Sequence, residues 1–186
     1  MMSILEDSVL TKFLSSFSCI QDEDIENFLH RKAVEFETLS KARTYLVIDA
    51  EDLETGKEEP AIYGYVSLAL KILTVPRDVS NRFRKELDGL SAKIHGQQIS
   101  DFPCYLIGQL SKNSDIRDNP VSGKKLLDIA FDIIASAAQA VGGRYMMIEC
   151  RDKENLLQFY RSNAFTEIDR IPDKDIPMVQ MIRKIQ

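Results

Sequence analysis

The segment from Cys104 to Cys150 constrains this chain more than any other. A β-rich run, "CYLIGQLSK" (104–112), leads through a polar loop into a helical pattern from Ser122 to about Val141, and "RYMMIEC" (144–150) follows as a second β-rich run. Within the helix, Leu126, Leu127, Ala130, Phe131, Ile133, Ile134, Ala137, Ala138 and Val141 recur at helical spacing. A stripe that wide is buried only by lying against a sheet. Gly142 and Gly143 then stop the helix. Strand, helix and strand must therefore pack as one layered α/β unit, and that unit is where the chemistry is expected.

The remaining sequence supplies what surrounds it. Residues 22–39 place Ile25, Phe28, Leu29, Ala33 and Phe36 on one helical face, with acids crowding the first turn. Two stretches rich in β-branched and aromatic residues, 42–51 and 61–75, read as strands joined by a polar hairpin loop holding Gly56 and Pro60. Residues 80–94 read as a basic amphipathic helix capped by Ser80. After the 144–150 strand, Asp152 is expected to cap a short helix reaching Asn163, and "FTEIDRI" and "MVQMIRKI" close the chain as strands. No repeat or linker divides the 186 residues, so one domain over 1–186 is expected.

Composition excludes several classes. Hydrophobic residues at 44% and charged residues at 28% describe an ordinary globular chain rather than a disordered one. No apolar run reaches the ~18 residues that a membrane span needs, the longest candidate, 61–75, being broken by Lys71, and the N-terminus lacks the layout of a signal peptide. Cys19, Cys104 and Cys150 are an odd set without metal-ligand spacing, and neither His30 nor His95 completes one. Free thiols, no metal and a cytoplasmic setting follow as expectations. The net charge of −5 argues against a general nucleic-acid binder. Charge is uneven, however: residues 71–95 hold six bases (Lys71, Arg77, Arg82, Arg84, Lys85, Lys93) against three acids (Asp78, Glu86, Asp88). Such a segment suits a polyanion, or is simply a solvated helix face.

The stretch "YLIGQLSKN…VSGKKLLDIAFDII…GGRYMMIECRDKENLLQFYRSNAF" resembles the acyl-CoA-binding core, at about 104–171, of the GNAT N-acetyltransferases. Upstream, "TYLVIDAE" and "YGYVSL" extend the likeness to the bacterial branch that includes toxin-type acetyltransferases, over roughly residues 17–171. The resemblance implies a mixed central sheet flanked by helices and splayed where acyl-CoA enters. Its distal element is a tyrosine, three residues, a glycine and a phenylalanine; here it is "YRSNAF", with Ala164 in the glycine's place. The family's phosphate loop, (Gln/Arg)–x–x–Gly–x–(Gly/Ala), ends three residues before a Leu-Leu pair. Counted back from Leu126-Leu127, Gly123 takes the last position, Val121 replaces the first glycine and Asp118 the leading Gln/Arg.

The resemblance assigns roles residue by residue. Tyr160 would protonate the departing CoA thiolate. Gln109, Leu110 and Ser111 would offer main-chain groups to pantetheine. Arg117, Val121, Ser122, Gly123, Lys124 and Lys125 would surround the pyrophosphate, and Asn155 would contact the cofactor, although the family's asparagine falls on Lys153 in strict register. The residues themselves admit blander readings: "PVSGKK" is also an ordinary helix start with Ser122 as its cap, and Tyr160 could be one more core aromatic. Glu149 interrupts an apolar strand, so it is either a general base or the partner of a cation such as Arg144 or Arg151. No histidine is set to activate Cys150, which favours direct transfer to an amine over a covalent intermediate. The expected function is acetyl transfer from acetyl-CoA to an unidentified amine. Aminoacyl-tRNA is the alternative acceptor, a weakly acyl-CoA-binding interaction module is the alternative class, and a homodimer stays open.

Overall fold

The computed structural model describes residues 4–57, 60–171 and 176–185. Helix α1 spans Ile4–Leu14 and is the one long element that the sequence reading did not mark. Helices α2 (Glu23–Asn27) and α3 (Ala33–Thr38) are joined through a π turn, Phe28–Lys32, into one unbroken helical run. Asp22 caps it by accepting from the Asp24 N–H. Strand β1 (Ala42–Ile48) ends before the expected residue 51, and a short helix, α4 (Ala50–Glu54), runs from there into the expected hairpin loop, part of which lies outside the described residues. Then come β2 (Ile62–Thr74), α5 (Asn81–Asp88), β3 (Lys93–Ile94), β4 (Gln97–Gln98) and β5 (Asp101–Lys112). The chain continues through α6 (Gly123–Val141), β6 (Tyr145–Arg151), α7 (Glu154–Ser162), β7 (Thr166–Ile171) and β8 (Met178–Lys184).

Six strands form one sheet in the order β1-β2-β5-β6-β8-β7, and β3 and β4 form a separate hairpin. β5 and β6 pair in parallel, as the intervening helix requires, whereas β1–β2, β6–β8 and β7–β8 are antiparallel. The chain divides into two compact units, Met1–Ala69 with Gly108–Asp132, and Leu70–Ile107 with Ile133–Gln186. In the first, Leu14, Phe17, Leu29, Ile62 and Tyr65 make the core, and the Tyr65 hydroxyl donates to the Ile25 carbonyl at 2.6 Å. In the second, Leu73, Leu87, Phe102, Tyr145, Met147 and Ile182 pack together.

Two helix boundaries differ from the sequence reading, and β5 begins at Asp101, three residues before the expected start. The basic helix ends at Asp88 rather than at 94, because Gly89 takes a left-handed φ of 89° and its N–H closes on the Lys85 carbonyl. Residues 93–98 then form the small hairpin. The last helix starts at Glu154, with Lys153 as its cap residue, because Asp152 is committed to Arg170 at 2.6 Å.

Arg84 corrects a third expectation. Placed with the basic residues of a polyanion-facing surface, it is in fact 1% exposed. Its guanidinium donates to the carbonyls of Pro76, Arg77, Val79 and Ile99 at 2.5–3.2 Å. It fastens the exit of β2, the start of α5 and the approach to β5. The basic surface is therefore Arg77, Arg82, Lys85 and Lys93, which are exposed. Among the described residues no helix is long and apolar enough to cross a membrane, and no three His, Cys, Asp or Glu side chains are grouped for a metal ion.

Candidate functional site

The second unit holds the acid–base candidates, on the two faces of β6. Successive strand residues point to opposite faces, so Glu149 and Cys150 diverge. On the Cys150 side stands Tyr160, the third residue from the end of α7, whose sequence "ENLLQFYRS" buries Leu157 and Tyr160 together. The α7 terminus that positions Tyr160 is a Schellman motif. The Phe165 N–H reaches back to the Tyr160 carbonyl at 3.1 Å and the Ala164 N–H to the Arg161 carbonyl at 3.0 Å. The hydrophobic contact belonging to that motif is Tyr160 against Phe165, edge to face, with ring centroids 5.6 Å apart. The spacing tyrosine–three–small residue–phenylalanine is thus a helix-capping unit that fixes the phenol ring. Ala164 occupies the left-handed position at φ 64°, where glycine is unstrained.

Tyr160 is 9% exposed, and burial, with Cys150 nearby, pushes its phenol well above the usual range. The phenol therefore keeps its proton at neutral pH. Its hydroxyl makes no hydrogen bond among the described residues. Burial lifts the Cys150 thiol to about 11, leaving it protonated and a poor nucleophile at neutral pH.

On the opposite face Glu149 is doubly held. Oε2 accepts from Lys71 Nζ at 2.6 Å and Oε1 from Gln180 Nε2 at 2.7 Å. Its basic partner is thus Lys71 of β2 and not Arg144, whose guanidinium donates to the carbonyls of Glu86 and Leu87. Sequence offered a signal for this pair: Lys71, Glu149 and Gln180 are each the polar break in an apolar strand. Between the two faces, β6 is open at one edge. It pairs with β5 only at Met146 and Met147, opposite Tyr105 and Leu106, while β8 accompanies it from Tyr145 to Arg151. Among the described residues, Ile148 to Arg151 pair with β8 alone.

The first unit holds the loop and helix start. Ser122 caps α6, its Oγ accepting from the Lys125 N–H at 3.1 Å. No hydrogen bond to the main-chain N–H groups of Ser122, Gly123 or Lys124 is found among the described residues, which leaves a cluster of donors at the positive end of a 19-residue helix. Lys125 is exposed, and Lys124 is paired with Asp128. Arg117 and Asp118 are almost fully exposed and 3.9 Å apart. Val121 offers a phosphate little: its side chain is 2% exposed and its N–H is taken by Asn119 Oδ1 at 2.9 Å. Gln109, Leu110 and Ser111 are half-buried, and the Ser111 hydroxyl sits 3.3 Å from Cys19 Sγ. Asn155, in the second unit, is exposed on the first turn of α7.

Two residues that sequence reasoning missed shape this loop. Asn113, 4% exposed, donates to the Ile62 carbonyl at 2.9 Å and accepts from the N–H groups of Ser18 and Asp115. Asn119 donates to the carbonyls of Tyr63 and Asn113 at 2.8 and 3.1 Å. Each closes an Asx turn onto the N–H two residues ahead. "NSD" and "NPV" are legible as such turns. Gly64, beside them in β2, lets the Ser111 carbonyl approach to 2.9 Å from where a β-carbon would stand.

The whole architecture has known counterparts. A tyrosine-to-phenylalanine variant of the toxin AtaT, bound to the C-terminus of the antitoxin AtaR and acetyl-CoA, superposes with a TM-score of 0.60 at 17% identity, over 92% of this chain and 85% of that one. The fold is GNAT. AtaT complexed with acetyl-methionyl-tRNAfMet gives a TM-score of 0.64 at 19% identity, covering 89% and 85% of the two chains. A tyrosine-to-phenylalanine variant of KacT gives 0.63 at 17%, covering 88% and 84%. No family model and no curated protein sequence matches the chain. The GNAT likeness thus lies in the arrangement of elements: the mixed sheet, the helix between parallel β5 and β6, and the capped helix α7.

Proposed function

We propose that this GNAT-fold chain, acting as one acyltransferase domain over residues 1–186, moves an acetyl group from acetyl-CoA to a primary amine. The observation that carries the proposal is the Tyr160 hydroxyl, raised in pKa and making no hydrogen bond among the described residues, on one face of β6 with Glu149 on the other. Glu149 accepts the proton that the amine sheds on attack. Tyr160 gives its proton to the thiolate that departs. The donors of Ser122, Gly123 and Lys124, with Lys125, suit a pyrophosphate. Gln109, Leu110 and Ser111 offer pantetheine main-chain partners as an added strand would. The raised thiol pKa of Cys150 favours direct transfer without an acyl-enzyme.

For the acceptor, aminoacyl-tRNA is the reading with support: AtaT is known in complex with an acetylated aminoacyl-tRNA, and Arg77, Arg82, Lys85 and Lys93 form an exposed basic segment here. A partner of the antitoxin kind, as AtaR is for AtaT, belongs to the same proposal. Thermal melting with acetyl-CoA tests the donor; a ligand at ~100 times its dissociation constant adds about 2.7 kcal/mol. Coenzyme A release with a panel of amines, including aminoacyl-tRNA, tests transfer. A chain that neither gains stability nor releases coenzyme A is an interaction module instead. Charge reversal at Arg82 and Lys85 should weaken binding of tRNA and flatten its salt dependence.

A further inference from the structure

Under the reading above, Glu149 takes a proton from the attacking amine. A general base does so from about 2.6–3.2 Å. A primary amine already stands there: Lys71 Nζ is 2.6 Å from Glu149 Oε2. Gln180, holding the other oxygen at 2.7 Å, prevents the carboxylate from turning away. The pair is not sealed, since the Lys71 and Glu149 side chains keep 39% and 23% of their exposure. The geometry wanted between base and acceptor is therefore present inside the chain.

We infer that Lys71 is itself an acetyl acceptor, modified by this chain's own site. The inference rests on the acetyltransferase reading and adds a substrate to it. In the step, Glu149 accepts a proton from the Lys71 ammonium and passes it to solvent, and the freed Nζ lone pair forms a C–N bond to the thioester carbonyl. As the C–S bond breaks, the second Nζ proton goes to Glu149, the thiolate leaves with the proton of Tyr160, and the Tyr160 phenolate regains a proton from solvent, so that one proton is released for each amide formed. An uncharged amide replaces a cation, the ion pair with Glu149 is lost, and Gln180 becomes the carboxylate's remaining partner in this row.

The test uses the full chain, incubated with acetyl-CoA and no added amine, and read by intact mass and peptide mapping. The expected result is one acetyl group on Lys71, formed at a rate constant independent of protein concentration. It should form at least about ten-fold more slowly in Tyr160→Phe and Glu149→Gln. Lys71→Arg should remain unmodified while melting as the parent does, because arginine keeps the ion pair. Exposed Lys85 and Lys93 report uncatalysed acetylation. Lys71 labelled no faster than these two, or equally fast in Glu149→Gln, would overturn the inference. Transfer to an added amine with Lys71 untouched would overturn it while leaving the acetyltransferase reading in place. No transfer to any acceptor would remove both.

Discussion

Two places in this chain lack a glycine that the GNAT pattern carries, and they have met the loss in opposite ways. At Ala164 the left-handed conformation is kept, at φ 64°, with a β-carbon in it. The Schellman bonds and the Tyr160–Phe165 contact hold the residue there against its own preference. At Val121 the backbone has no positive φ, the side chain is core, and Asn113 and Asn119 shape the loop instead. A missing glycine therefore has two structural meanings: a conformation retained under strain, or a conformation replaced. Only the first keeps the left-handed cap that fixes the Tyr160 ring.

The sharpest way to break the comparison is to remove the oxygen that the strained cap positions. Tyr160→Phe keeps the ring contact and should melt within a degree or two of the parent, while turnover falls by ~10²–10⁴. Near-normal turnover would make the capping unit a packing device only. Restoring glycine should then separate the two sites by sign. Val121→Gly loses a buried side chain and adds unfolded-chain freedom, at a cost of roughly 2–4 kcal/mol, with no gain in acetyl-CoA affinity by calorimetry. Tighter binding there would show that the loop still wants its glycine. Asn119→Ala removes three hydrogen bonds and should cost about 1–3 kcal/mol in denaturant unfolding. It should also weaken acetyl-CoA binding in the folded variant, because the Val121 N–H is released and the helix start loses its brace. The smallest effect has the opposite sign. Ala164→Gly relieves about 1–2 kcal/mol of left-handed strain against roughly 0.4–1 kcal/mol of added unfolded-state freedom. A net gain near 1 kcal/mol, or ~2–4 °C in melting temperature, is expected. A loss would mean that the alanine methyl packs favourably.

The same contrast explains what could be read from sequence. Elements whose identity depends on periodicity were legible: the α6 stripe against the sheet, the β-rich runs, the capped tyrosine helix. Misplacements arose where a single residue outweighed the pattern. Gly89 ended α5 early although the amphipathic spacing continued, and Asp152 chose Arg170 over its helix. Arg84 sits in a basic run, and nothing in composition separates an arginine that faces water from one that binds four carbonyls. In the candidate site, Tyr160 was visible through the resemblance to the GNAT pattern and Glu149 as a carboxylate in an apolar strand. Lys71 was not recognised as Glu149's partner, because pairing across strands far apart in sequence is decided by register. Asn113 and Asn119 were missed although "NSD" and "NPV" carry turn chemistry, and how many bonds each makes depends on which carbonyls the fold brings near.

The three cysteines have a practical consequence. Cys19, Cys104 and Cys150 are all buried, and burial lifts the thiols of Cys104 and Cys150 to about 11. Cys104 and Cys150 should thus present almost no thiolate to an alkylating reagent at neutral pH, and burial shields the Cys19 sulfur from the reagent. A cysteine introduced at exposed Gln97, on the β3–β4 hairpin, would be the one fast-reacting thiol without any native cysteine being removed. A fluorophore or spin label placed there would sit on the same hairpin as Lys93, one of the exposed bases, and its signal would report docking of a polyanion directly.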